Sequence, residues 1–187
     1  EVQSEALALD NWWVEYLITR HSGDSPVWDS IRVVRVKLSG FAFNSDYMTE
    51  QLIDLADSQV IDARDVWFDV YDSAEIDDVH AAADRMLSLA EKGFRFCLDH
   101  FGTTRSPFYL LKSLPVHMIK IDESYIESLN SSEADEGSAG SIIEVAHYLD
   151  KEVLASSVDT AICMQRMKRL GIDHVQGSTI AEYELLE

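Results

Sequence analysis

The chain has 187 residues, with 34 acidic side chains against 15 basic ones and a formal charge of −19. That charge argues against a long nucleic acid as partner, because such affinity comes mainly from Lys and Arg meeting phosphates. No apolar run approaches the roughly 20 residues of a membrane helix, and no basic-then-apolar leader opens the chain, so the expectation is a soluble protein without membrane contact.

In chain order, the first helical segment carries Trp12, Trp13 and Tyr16. Adjacent tryptophans on a helix must point differently, so either one is an exposed anchor or both pack inside. Apolar, β-branched runs come next at Ile31–Leu38, Val66–Tyr71, Phe94–Leu98, His117–Ile121, Glu152–Ala155 and His174–Val175. Between them lie stretches with helical spacing. Met48, Leu52 and Leu55 form one stripe; Ile76, Val79, Ala83, Met86, Leu87 and Ala90 form a longer one. Ile142, Val145, Ala146 and Leu149 form a third, and Cys163, Met167 and Leu170 a fourth. Gly93 and Gly171 fall where left-handed helix ends are expected. Asn130–Gly140, rich in Ser, Glu and Gly, reads as an exposed loop before a helix.

Strands alternating with helices predict βαβ units and a parallel sheet, either doubly wound or part of an eight-fold barrel. No glycine-rich phosphate loop comes after the first run, which weakens the dinucleotide-binding version. The two cysteines, Cys97 and Cys163, sit in apolar stretches without metal spacing. They are expected as buried free thiols of a reducing compartment, hence a cytoplasmic chain. In a barrel, chemistry gathers at the C-terminal ends of the strands. There the runs deliver Lys37 and Ser39, Asp69 and Asp72, Asp99 and His100, Lys120 and Asp122, Ser156 and Asp159, and Gln176. Any one of these serves as well for a cap or a solvated charge; their recurrence points to a shared pocket.

Three segments carry a specific resemblance: Leu98-Asp99-His100-Phe101-Gly102-Thr103, Leu110-Leu111-Lys112-Ser113-Leu114-Pro115-Val116 and Ile119-Lys120-Ile121-Asp122. Together with Val66–Ser73, Leu154–Thr160 and Val175-Gln176-Gly177, they are ordered and spaced as in the EAL family of cyclic-di-GMP phosphodiesterases, which the chain resembles from about Glu1 to Ile180. The resemblance implies one α/β domain across 1–187, a (β/α)8 TIM-barrel-like fold incomplete at its N-terminus. Glu5-Ala6-Leu7 spells the namesake tripeptide. The segment Leu9–Val14, however, resembles a later helix of the family, so the true tripeptide strand is expected outside this sequence.

The resemblance also implies a binuclear Mg²⁺ or Mn²⁺ centre, and here the chain departs from it. Lys37 stands at an asparagine ligand, Asp69 and Asp72 at two glutamates, and Asp99 and His100 at the paired bridging aspartates. Ser156 and Asp159 stand at two later glutamates, while Lys120, Asp122 and Gln176 are kept. An ammonium repels a cation, and hard divalent ions want anionic oxygens. Ligands of one cluster act as a unit, so losing several should abolish hydrolysis.

The expectation is therefore a catalytically inactive domain with no resident metal. It acts as a cyclic-di-GMP receptor through contacts with a protein partner, holding the ligand with Asp99, Arg105, Lys120, Asp122 and Gln176. The alternatives are a ligand-free interaction scaffold, and an active phosphodiesterase using Mg²⁺ or Mn²⁺ with unusual ligands. Lys37, beside Asp69 and Asp99, is a candidate for the charge the metals would otherwise supply; the alternative is a lysine reaching into solvent.

Overall fold

The computed structural model describes residues 2–21, 32–71, 73–103, 107–128 and 133–181. Seven helices and six strands are arranged in chain order within these residues. They are α1 (Val2–His21), β1 (Val34–Ser39), α2 (Asp46–Asp57), β2 (Val66–Tyr71), α3 (Val79–Lys92), β3 (Arg95–Phe101), α4 (Pro107–Ser113), β4 (Met118–Ile121), α5 (Glu123–Ser128), α6 (Glu133–Tyr148), β5 (Glu152–Ala155), α7 (Ala161–Leu170) and β6 (His174–Val175). The sheet order is the chain order, β1 to β6, and the resolved registers of β1–β2, β4–β5 and β5–β6 are parallel. This is the α/β architecture the alternation predicts. None of the described helices is long and apolar enough to cross a membrane.

The chain forms two compact units, Glu1–Cys97 with Lys112–Pro115, and Leu98–Leu111 with Val116–Glu187. In the first, Val36 and Leu38 of β1 and Phe68 and Val70 of β2 are buried, as are Met48, Leu52 and Leu55 of α2 and Ala82, Met86 and Leu89 of α3. Aromatic rings knit this core: Phe68 lies 5.3 Å from Phe94 and 5.9 Å from Phe96, and Phe43 meets Phe96 edge-on at 5.9 Å. In the second unit the core draws on Ile119 and Ile121 of β4, Ala139, Ile143 and Ala146 of α6, Val153 and Ala155 of β5, and Cys163 and Met167 of α7.

Local chemistry sets the boundaries. α3 begins where the Asp78 carboxylate accepts from the backbone N–H groups of His80 and Ala81, at 2.9 and 3.1 Å, and it ends at Gly93 with φ +115°. α7 begins with the Thr160 hydroxyl accepting from the Cys163 N–H at 3.1 Å and ends at Gly171 with φ +78°. Both cysteines are buried thiols, and neither is in a disulfide.

Two readings are corrected. The loop expected over Asn130–Gly140 is helical from Glu133 onward. Glu and Ala are good helix formers, acidic residues suit a helix N-terminus, and Ala139, Ile142, Ile143 and Ala146 bury one face, so two glycines do not stop it. In α3 the buried stripe is Ala82, Met86 and Leu89, while Leu87 is half exposed. Leu87 lies about 100° round the helix from Met86 and so misses the core.

Candidate functional site

In the first unit, the β1–β2 register pairs Arg35 with Trp67 and Lys37 with Asp69. Directly opposed residues in neighbouring strands point to the same face, so these four share one, while Val36 and Phe68 share the other. Asp69 is 5% exposed. Arg35 reaches diagonally to it as a two-pronged fork, Nε to Oδ2 at 3.2 Å and a terminal nitrogen to Oδ1 at 2.5 Å. The same guanidinium lies 5.5 Å from the Trp67 ring centroid, and Arg95 lies 5.2 Å from that ring. Lys37 is exposed. Arg35 supplies Asp69 with a guanidinium fork that sequence reasoning missed.

Asp10 was missed as well. It is fully buried on α1, and its two oxygens accept from the Ser39 backbone N–H at 3.0 Å and the Ser39 hydroxyl at 2.5 Å. This ties α1 to the C-terminal end of β1. Burial pushes the Asp10 carboxyl above its ordinary pKa, and the Ser39 bonds only partly oppose it. A signal existed: Asp10 lies four and seven residues before the buried Val14 and Leu17, on one helical stripe. Further along α1, Trp12 is 49% exposed, stacks on Tyr16 at 5.3 Å and meets Trp13 edge-on at 4.8 Å. The two tryptophans do point differently, and Trp12 is the outer one.

In the second unit, Asp99 is buried near the end of β3. Its Oδ1 lies 3.5 Å from Lys120 Nζ on β4 and accepts from the His100 backbone N–H at 2.9 Å. His100 comes next with φ +53°, a left-handed conformation that re-aims its side chain. The imidazole lies between two carboxylates, Nε2 3.9 Å from Asp99 Oδ2 and Nδ1 3.8 Å from Asp122 Oδ2. Asp122 itself caps the start of α5, accepting at Oδ1 from the Ser124 N–H at 3.0 Å and its hydroxyl at 2.5 Å.

After β5 and β6 the chain is pinned by Asp159, whose Oδ1 accepts from both the backbone N–H and the hydroxyl of Ser178 at 2.8 Å. Those two bonds, the backbone one foremost, lower its pKa. Ser156 is half-buried and Gln176 exposed; the Gln176 carbonyl accepts from the Val158 N–H at 3.0 Å. Ser157, at φ +59°, donates its hydroxyl to Glu123 at 3.3 Å.

Thus the second unit brings Asp99, His100, Lys120 and Asp122 together, and the first unit holds Lys37 and Asp69 on one strand face. Asp159 is spent on a turn. Asp72 and Arg105 lie outside the described residues. Among the described residues, no three or more His, Cys, Asp and Glu side chains are arranged to hold a metal ion. Both oxygens of Asp69 meet the Arg35 guanidinium, so this carboxylate as placed does not fit a divalent ion.

Comparison with known proteins agrees with this scaffold. Signaling protein YkoW of Bacillus subtilis is 30% identical over 144 residues, which are 77% of this chain and 18% of that protein. Cyclic di-GMP phosphodiesterase PdeB of Shewanella oneidensis is 26% identical over 157 residues, 84% of this chain and again 18% of the relative. This chain thus spans only a small part of the curated relatives it matches. A structure of the EAL enzyme Bd1971, in its cAMP and cyclic-di-GMP bound form, aligns with TM-score 0.82 at 21% identity, over 96% of this chain and 50% of that one. At that identity the likeness is one of fold. The EAL domain family itself matches residues 6–183, and this chain belongs to it.

Proposed function

We propose that this chain is a non-hydrolysing EAL domain that binds cyclic di-GMP and relays its occupancy through protein contacts. The observation that carries the reading is how the strand-end carboxylates are used. Asp69 is forked by Arg35, and Asp122 and Asp159 each accept two hydrogen bonds from one serine. Two-metal phosphodiester cleavage needs anionic oxygens free to bridge cations and to generate hydroxide near neutral pH. Here both oxygens of Asp69 face the protein's own guanidinium, and one oxygen each of Asp122 and Asp159 is engaged by a serine. The ligand side is supported by the EAL enzyme Bd1971, whose fold this chain shares and whose structure is a cAMP and cyclic-di-GMP bound form. In the second unit, Lys120 offers an ammonium toward a phosphodiester, offsetting the Asp99 charge that would repel it.

A ligand-free scaffold is the second reading. The half-exposed Trp12 of α1 favours it, since a large aromatic on a helix is a common anchor for a protein partner.

Isothermal titration with cyclic di-GMP, in chelator and then in Mn²⁺ or Mg²⁺, paired with product analysis, tests the proposal. Binding heat without product is the expected result. Linearised dinucleotide appearing with metal overturns it in favour of an active phosphodiesterase. No heat at high micromolar ligand overturns it in favour of the scaffold.

A further inference from the structure

A carboxylate as buried as Asp69 needs a positive partner, because an isolated ionised group out of water is costly. The family resemblance puts a divalent ion in that role, and the donors in this chain do not fit one. What the fold places there is a guanidinium, whose planar geometry matches a carboxylate in two-pronged fashion. The guanidinium is held on two sides, by Asp69 and by the indole of Trp67 at 5.5 Å. Burial works against the Arg35 charge, yet Asp69 and Cys97 outweigh it and raise its pKa further, so it stays charged across the range in which proteins fold.

We propose that Arg35 is a built-in counter-ion for Asp69, standing in the electrostatic place of a divalent cation, so that the first unit holds its shape independently of metal. The proposal rests on the reading of the domain as metal-free and says how the fold tolerates it. A bound ion exchanges with solvent and is stripped by chelators; a guanidinium on the neighbouring strand is permanent. Arg35 acts through Asp69 and is a positioning residue.

All four tryptophans of the chain, Trp12, Trp13, Trp28 and Trp67, lie in the stretch Glu1–Cys97 that makes up most of the first unit. Tryptophan fluorescence melting of the full chain therefore reports this unit. The wild type should melt at one temperature in chelator and in millimolar Mn²⁺. Arg35→Met leaves Asp69 buried without its fork and should melt about 10 °C lower. Millimolar Mn²⁺ should then recover about 3 °C, because an ion that binds only the folded state stabilises by mass action. Asp69→Asn in the Arg35→Met background should abolish that Mn²⁺ response, which a purely structural loss of packing would not. Arg35→Lys keeps the charge without the fork and should melt between wild type and Arg35→Met with no Mn²⁺ response, which keeps the test open if Arg35→Met does not fold.

The proposal is overturned if Mn²⁺ raises the wild-type melting temperature as much as the variant's. It is equally overturned if Arg35→Met melts with the wild type, or if the double variant still responds to metal. These outcomes are separate from the titration: turnover of cyclic di-GMP defeats the functional reading, whereas an unchanged Arg35→Met defeats only the counter-ion.

Discussion

Carboxylates are used differently in the two units. In the first, Asp10 and Asp69 are buried, and each is matched to a partner on β1, Ser39 and Arg35 respectively. In the second, Asp99 is buried beside Lys120, while the half-buried Asp122 and the exposed Asp159 hold turns, each gripping the backbone and hydroxyl of one serine. Asp173 adds a third such clasp. Burial pushes its pKa up, but His147 at 2.8 Å and the Val153 N–H at 2.8 Å more than reverse this. The lesson is that an acidic residue after a strand does not announce its job. Burial decides whether it is a charge to be neutralised or a clamp for a loop.

The contrast is tested by striking each unit where it is strongest. Phe68→Ala empties the aromatic core of the first unit, where Phe68 is fully buried against Phe94 and Phe96. It should cost about 3–5 kcal/mol, read as an early tryptophan transition. A melting curve within a degree or two of wild type would deny that this unit depends on its packed core. In the second unit the vulnerable point is a close backbone approach. A Cβ on Gly177 would lie 2.5 Å from the Val158 carbonyl oxygen and 2.6 Å from its nitrogen. Gly177→Ala should force the chain after β6 away from the chain after β5, at a cost of about 2 kcal/mol. The Val158 amide, which donates to the Gln176 carbonyl at 3.0 Å, should then exchange its hydrogen faster; unchanged protection would count against a tight loop pair.

The smallest effect concerns pH. Asp10 has a folded-state pKa above the ordinary carboxylate value because burial penalises its charge. A raised pKa contributes stability that is full below the unfolded value near 3.9 and is lost as pH rises through the folded one. Asp10→Asn does not titrate. Its melting temperature relative to wild type should therefore be most favourable at neutral pH and fall by a few degrees on acidification toward pH 4. The opposite trend would mean that Ser39 holds the charged form.

Much of the fold was legible because it is written in local periodicity. Each of the six apolar runs contains or overlaps a strand, and Gly93 and Gly171 end helices as their positions suggest. What escaped depends on distant parts of the chain. Arg35 read as an ordinary polar residue on the alternating side of a strand, since nothing local says that the residue two steps past its cross-strand neighbour is a buried aspartate. The 130–140 segment was misread because composition spoke louder than the buried face of Ala139 and Ile143. At the candidate site the residue types were legible, while their allegiances were not. Asp159 stands where the family has a glutamate, yet its oxygen serves Ser178. The family itself was legible from ordered motifs, because many matching spacings are far harder to meet by chance than one.

The backbone at His100 carries an evolutionary corollary. At φ +53° the main chain takes a shape that Asn, Asp and His tolerate and β-branched residues resist. An aspartate at this position would need no rebuilding of the turn. The turn thus confines this position to a handful of side chains, an acid among them.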